Sequence, residues 1–175
     1  MTGRSRSRRA ELPPSLQLTT ARLVLSALTP AGAADLLAGI VAPGRTRAAD
    51  YPGQDDVVAA TAYLWALEHV GDFPPYGPYQ LVRRADAVVI GGAGFHGPPV
   101  GGEVEIAYAV VPSARGNGYA TEAVRALVDL AAASGARSVS DVVAADNVAS
   151  ERVALAAGFV VRSADAATRR YTLTP

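Results

Sequence analysis

The 175-residue sequence contains no cysteine, which excludes disulfides, a thiolate nucleophile and cysteine-ligated metal. It also contains no lysine, so all sixteen basic residues are arginine. Only two histidines occur, His69 and His96, far apart in the chain; no histidine-rich metal site is expected and no metal is assigned. No apolar run approaches the roughly 18 residues of a membrane span, and the arginine-rich start is not followed by a signal-peptide apolar segment. A cytoplasmic domain with no membrane partner is the expectation. What is present can build a core. Hydrophobic residues make up 50% and charged residues 18%, unlike a disordered chain, and the length favours one domain.

The charges balance at sixteen each but are unevenly placed. Arg4, Arg6, Arg8 and Arg9 fall within the first eleven residues, where Glu11 is the only acid; beyond them, twelve arginines face fifteen acids, a net charge of about −3. Nucleic-acid-binding domains carry the opposite sign, so no nucleic-acid partner is expected. Residues 1–14 read as a flexible arm running into Leu12-Pro13-Pro14, and 15–175 as a single domain.

Hydrophobic periodicity predicts a first strand over 22–28, followed by Thr29-Pro30 as a helix start and a short helix from Ala31 to Val41, stopped by Pro43-Gly44. A second helix is expected from Asp56 to Val70. A hairpin follows, with strands over 79–84 and 88–95. Residues 103–111 alternate: Val104, Ile106, Tyr108 and Val110 face one way, Glu103, Glu105, Ala107 and Ala109 the other. Pro112 ends that strand. Next come the loop Arg115-Gly116-Asn117-Gly118-Tyr119-Ala120 and a helix through about Ala133, closed by Gly135. A strand over 139–143, a helix over 147–157 stopped by Gly158, and a hairpin over 159–162 and 168–173 complete the chain. The order is mixed α/β with a partly antiparallel sheet.

A strand, a glycine loop and a helix start form a place where anions bind, through close backbone approach, unpaired amides and the helix dipole. A mononucleotide P-loop needs Gly-Lys-Ser/Thr, and the chain has no lysine. A dinucleotide fingerprint needs a third glycine where Thr121 stands. Another pyrophosphate ligand is favoured, although an ordinary tight turn also accounts for two glycines.

The surroundings narrow the choice. Glu105-Ile106-Ala107-Tyr108 through Pro112, with Arg115, Gly118 and Ala120 in a Gln/Arg-x-x-Gly-x-Gly/Ala pattern, resembles the acetyl-CoA binding motif of the GNAT superfamily of N-acetyltransferases. Asp146-Asn147-Val148-Ala149-Ser150-Glu151-Arg152-Val153 with Gly158-Phe159 is similar to the branch that acetylates ribosomal-protein N-termini, as is Thr20-Ala21-Arg22-Leu23-Val24-Leu25. The resemblance spans residues 20 to 160. It implies a mixed, mostly antiparallel sheet of six or seven strands, splayed between the fourth and fifth, with helices on both faces. It further implies acetyl-CoA as cosubstrate, its pantetheine pairing near Val110 and Val111 and its pyrophosphate on Arg115, Gly116, Asn117, Gly118, Tyr119 and Ala120. The acetyl group would pass directly to a primary amine, on a protein N-terminus or a small molecule, in a monomer or homodimer. Many family members use a tyrosine in the last helix as general acid. Ala154 occupies that register here, which keeps a non-catalytic acyl-CoA-binding module as the alternative.

Each candidate also has a plain structural reading. Asn147 is a good helix cap, or a ligand of cofactor or acceptor, and both can hold. Ser150 is the remaining hydroxyl on that helix and the candidate acid, or simply a small first-turn residue. Tyr119 is a surface aromatic or packs near the cofactor. His96 reads as a solvated loop residue. Glu105 is the candidate base, on the strand face opposite the one suited to the glycine-loop helix; its alternative is a charge pair with Glu103 at a solvated strand end. Two carboxylates at i and i+2 are expected to raise each other's pKa. Six of the eleven aromatics lie between positions 51 and 79, where the resemblance puts the acceptor pocket, so two or three are expected to line it.

Overall fold

The computed structural model describes residues 16–41 and 46–175. The arm expected at 1–14 and the helix stop at Pro43-Gly44 lie outside the described residues. In chain order the elements are β1 (Gln17–Thr19), β2 (Leu23–Ala27), α1 (Pro30–Leu37), β3 (Thr46–Arg47), α2 (Gln54–His69), β4 (Pro78–Arg83), β5 (Val88–Phe95), β6 (Glu103–Val110), α3 (Tyr119–Ala133), β7 (Ser138–Ala144), α4 (Val148–Ala157), β8 (Val160–Ala164) and β9 (Thr168–Leu173). A 3-10 turn, Pro112–Ala114, separates β6 from the glycine loop.

The strands form one sheet in the order β1-β2-β4-β5-β6-β7-β9-β8, with β3 beside β5. Among the described residues there are nine, two more than the upper expectation. The additions, β1 and β3, span three and two residues, too few for an alternating pattern to show. Every pairing is antiparallel except β3–β5 and β6–β7.

Local chemistry accounts for the element ends. Thr29 Oγ1 accepts the Gly32 amide at 3.0 Å, satisfying one of the orphan donors of α1. That helix stops at Leu37, short of the expected Val41, because Gly39 takes a left-handed conformation at φ +73 and Ile40 N–H turns back to the Asp35 carbonyl. Gly158 ends α4 in the same way, at φ +101.

Helix α3 buries Ala123, Val124, Leu127, Val128 and Ala131, one stripe at helical spacing. It packs on β6 and against α4, over the face that carries Val104, Ile106 and Val110, all buried. Helix α2 lies on the opposite face, where its Asp56 stands over Gly92. Helices therefore cover both sides of β6. This strand is the hinge of the architecture.

Candidate active site

Strands β6 and β7 pair in parallel only from Glu103–Ser138 to Ile106–Asp141. Beyond that point β6 continues along β5 while β7 stays with β9, so the sheet opens into a V between the fourth and fifth of the strands expected from sequence. Backbone groups alternate sides along a strand. His96 N–H donates to the Glu105 carbonyl and Val111 N–H to that of Ile90, so the odd-numbered residues of β6 bond toward β5 and Tyr108 and Val110 face the opening. Arg115 Nε donates to the Val110 carbonyl at 2.8 Å. The Tyr108 backbone groups and the Val110 N–H remain as the polar lip of the V. Val111 already has a partner on each side, its N–H donating to Ile90 and its carbonyl accepting from Ala114.

The glycine loop follows β6 directly, after the Pro112–Ala114 turn. Gly116 and Gly118 have φ of +78 and +76, a region that side-chain-bearing residues enter at a cost. Asn117 Nδ2 braces the turn by donating to the carbonyls of Ala114 and Arg115, both at 3.0 Å. Outside the loop, Glu122 accepts from Thr20 Oγ1 and from Arg22 N–H and Nε at 2.6–2.7 Å. The Arg22 guanidinium also lies over the Tyr119 ring, 4.9 Å from its centroid, which packs Tyr119 against Arg22. Among the described residues no acceptor meets the backbone amides from Gly116 through Thr121. These unpaired donors at the positive end of a fifteen-residue helix fit an anion.

Across the V, Asn147 caps α4, its Oδ1 accepting the Ser150 N–H at 3.1 Å. Ala154 is fully buried, but a tyrosine hydroxyl reaches this helix from another direction. Tyr108 Oη lies 2.9 Å from Asp141 Oδ2 and 3.0 Å from the Ser150 carbonyl. One hydroxyl hydrogen cannot serve two acceptors. The pair is satisfied when Asp141 is protonated and donates to Tyr108, leaving Tyr108 to donate to Ser150. Burial indeed raises the Asp141 pKa to about 6; the hydrogen bond from Tyr108 opposes the rise and the charge of Glu105 adds to it. Burial likewise pushes the Tyr108 phenol upward. Sequence reading passed over both residues. The parallel register that sets them side by side links positions 33 residues apart, and only their polar character on an otherwise apolar strand face marks them.

A carboxyl whose folded pKa exceeds its unfolded value keeps a proton that the unfolded chain has lost. Stability contributed by that group is therefore full below about pH 4, falls as pH rises to about 6, and is level above. Two pKa units correspond to about 3 kcal/mol. Asn at position 141 supplies the same donor without the ionisation, so Asp141→Asn should raise the melting temperature at pH 7.5 and leave it nearly unchanged at pH 4.5. Equal shifts at the two pH values in thermal unfolding would contradict this account.

Glu105 lies on the α2 face, as its strand position predicts, but in different company. His96 Nδ1 is 3.0 Å from Glu105 Oε1, so His96 is a partner of the candidate base instead of an isolated loop residue. Arg170 stands between the two glutamates, Nη2 2.5 Å from Glu103 Oε1 and Nη1 3.5 Å from Glu105 Oε2. The expected mutual elevation of their pKa values is overturned at Glu103: the Arg170 hydrogen bond holds that carboxyl below its ordinary value. Arginine 170 comes from β9, whose place beside β7 only the completed sheet reveals.

A cavity of about 460 Å³ runs from α2 over the face of β5 and β6 to Asp141, Asn147 and Ser150. His96 and Tyr108 border it, and so do four of the six clustered aromatics, Tyr51, Tyr63, Phe73 and Tyr79. Of the other two, Tyr76 is buried against Phe95 and Trp65 is exposed on His69. Among the described residues no group of three or more His, Asp or Glu is placed to hold a metal ion, and no helix is long and apolar enough to cross a membrane.

An open V in a mostly antiparallel sheet, with an anion-ready helix start following the strand that borders it and a cavity reaching into it, is the architecture of an acyl-CoA-dependent acyltransferase. Residues 22–160 match the family model of the acetyltransferase (GNAT) domain. The chain belongs to the GNAT acetyltransferase family, and its chemistry is acetyl transfer from acetyl-CoA. Among similar solved structures is an acetyltransferase from Agrobacterium tumefaciens strain C58, at 22% identity and a TM-score of 0.65, covering 95% of this chain and 99% of that one. Another is RimL, a ribosomal L7/L12 alpha-N-protein acetyltransferase, at 16% identity and TM-score 0.63, covering 94% and 99%. A third is the microcin C7 self-immunity acetyltransferase MccE, in complex with acetyl-CoA and AMP, at 14% identity and TM-score 0.63, covering 89% and 94%. At these identities the likeness is one of fold. No curated protein matches the chain in sequence.

Proposed function

We propose that the chain passes the acetyl group of acetyl-CoA directly to a primary amine, without an acyl-enzyme. One observation carries this reading: the cavity from α2 to the V ends beside Asn147 and Ser150 and has the Glu105 partner His96 on its wall. Acetyl-CoA supplies the activated thioester when bound. The free lip of β6 and the amides of Gly116 through Thr121 are suited to holding it, and the chain contains no cysteine to accept an acyl group. Only a neutral amine has the lone pair for attack, so Glu105, directly or through water, takes the proton an arriving ammonium must lose.

Ser150 Oγ has no protein partner among the described residues and borders the cavity. It is placed to give a hydrogen bond to the departing coenzyme thiolate, while Asn147 fixes the helix start that carries it. General acid help is worth about 10²–10⁴ in rate. Ser150→Ala is expected to lower kcat by more than it raises the KM for acetyl-CoA; a variant as fast as the parent would return Ser150 to a structural role. The whole reading is tested by thiol release from acetyl-CoA in the presence of small amines and short peptides. Turnover on either class supports it, whereas tight coenzyme binding with no turnover on any amine would leave a binding module.

A further inference from the structure

The acceptor end of the cavity carries a feature that amine transfer as such does not require. Its wall holds two carboxylates, Asp55 and Asp56 on the first turn of α2, and among the described residues no arginine lines the cavity. Asp56 is the unusual one, with only 5% of its surface exposed. Its Oδ2 reaches back from the third helical position and accepts the Gly53 amide at 2.9 Å. Its Oδ1 meets no donor among the described residues. Every fully buried side-chain nitrogen or oxygen among them has a partner, so this oxygen is open to the cavity. It owes its place to Gly92: a Cβ there would stand 2.6 Å from Oδ1. Gly92 pairs with Ala109 on β6, so Asp56 stands about one strand spacing, roughly 5 Å, from the strand that borders the V.

We propose that Asp56 Oδ1, with Asp55 at the rim, receives a second cationic group of the acceptor, which is a compact amine with a second ammonium a few carbons away and no carboxylate or phosphate. This rests on the acetyl-transfer reading above and names its substrate class. A buried carboxylate without a cation is costly, and burial accordingly raises the Asp56 pKa to about 6, with Asp55 adding to the rise. An ammonium against Oδ1 removes that cost, while a carboxylate or phosphate there meets only like charge. The aromatic and alanine walls contact the methylenes between the two nitrogens. At about 460 Å³ the cavity is in the range of small-molecule sites.

The test compares 1,4-diaminobutane, n-pentylamine and 4-aminobutyrate, three chains of similar length, at fixed acetyl-CoA. The expected order of kcat/KM is diamine over monoamine over amino acid, with the diamine at least tenfold above the monoamine. Asp56→Asn keeps an oxygen for Gly53 but removes the charge, and should bring the diamine-to-monoamine ratio close to one. Asp55→Asn, at an exposed position, should lower the same ratio by a smaller factor with the melting temperature unchanged, so a folding defect at position 56 does not decide the matter. Calorimetry of 1,4-diaminobutane against the protein with coenzyme A bound separates the two readings. Binding lost in Asp56→Asn, without turnover in the parent, would retain the cation site and overturn the transfer reaction. A diamine preference intact in both variants, or 4-aminobutyrate used as well as the diamine, would overturn the cation site while leaving acetyl transfer standing.

Discussion

Replacing Gly116 or Gly118 by valine is expected to weaken coenzyme A binding about a hundredfold while leaving the domain folded. Both residues hold positive φ, and a β-branched side chain pays about 1–2 kcal/mol to stay there. The strain is relieved by turning the peptide units that aim the amides of Gly116 through Thr121 outward. A helix start contributes about 0.3–1 kcal/mol per favourable charge, and up to ~2 when partly buried. For a doubly charged pyrophosphate the loss is about 3 kcal/mol, which is the stated hundredfold. Folding is spared because the loop is exposed and a Cβ at Gly116 meets no atom within 4 Å. At Gly118 the nearest neighbour is the end of the Arg22 side chain at 3.4 Å. Isothermal calorimetry with coenzyme A reads the affinity and circular dichroism the fold. Parental affinity in a folded variant would remove the loop from the coenzyme site.

Glu105→Gln should reduce turnover near pH 7 by about 10²-fold or more and recover much of it at high pH. The size follows from the amine. An α-amine of pKa ~8 is about one-tenth neutral at pH 7, and an alkyl amine of pKa ~10.4 only a few parts in ten thousand. Deprotonation therefore costs about 1.4 kcal/mol in the first case and about 4.6 kcal/mol in the second. Once the solution itself supplies neutral amine, a protein base is no longer needed. Glutamine keeps an oxygen for His96 and gives up the 3.5 Å ion pair with Arg170. The defect should thus be larger, and its recovery shifted to higher pH, for the more basic acceptor. A variant with the parental pH–rate profile would show that the proton leaves by another route.

Much of this protein is legible in one dimension because the signals are local. The alternation over residues 103–111, Pro112 after it, and Gly116 and Gly118 before an apolar helical stripe specify strand, stop, anion-binding turn and helix. Thr29, Asn147 and Gly158 mark helix ends through caps that reach only three or four residues. Two spaced motifs then carried the family and its cosubstrate.

What stayed hidden depends on strands distant in sequence lying side by side. Arg170 reaches Glu103 and Glu105 only because β9 flanks β7 and β7 flanks β6. Asp141 becomes a proton-holding carboxyl only where the parallel pairing with β6 ends and Tyr108 closes over it. Asp56 reads only as the start of a helix until the glycines of β5 leave it a buried oxygen facing open space. Burial and juxtaposition alter the chemistry of a carboxylate far more than its sequence neighbours do, because desolvation and a nearby charge act through space. The helix starts, turns and family motifs are thus written along the chain, whereas the charge state and partners of its acids arise only when the sheet has closed around them.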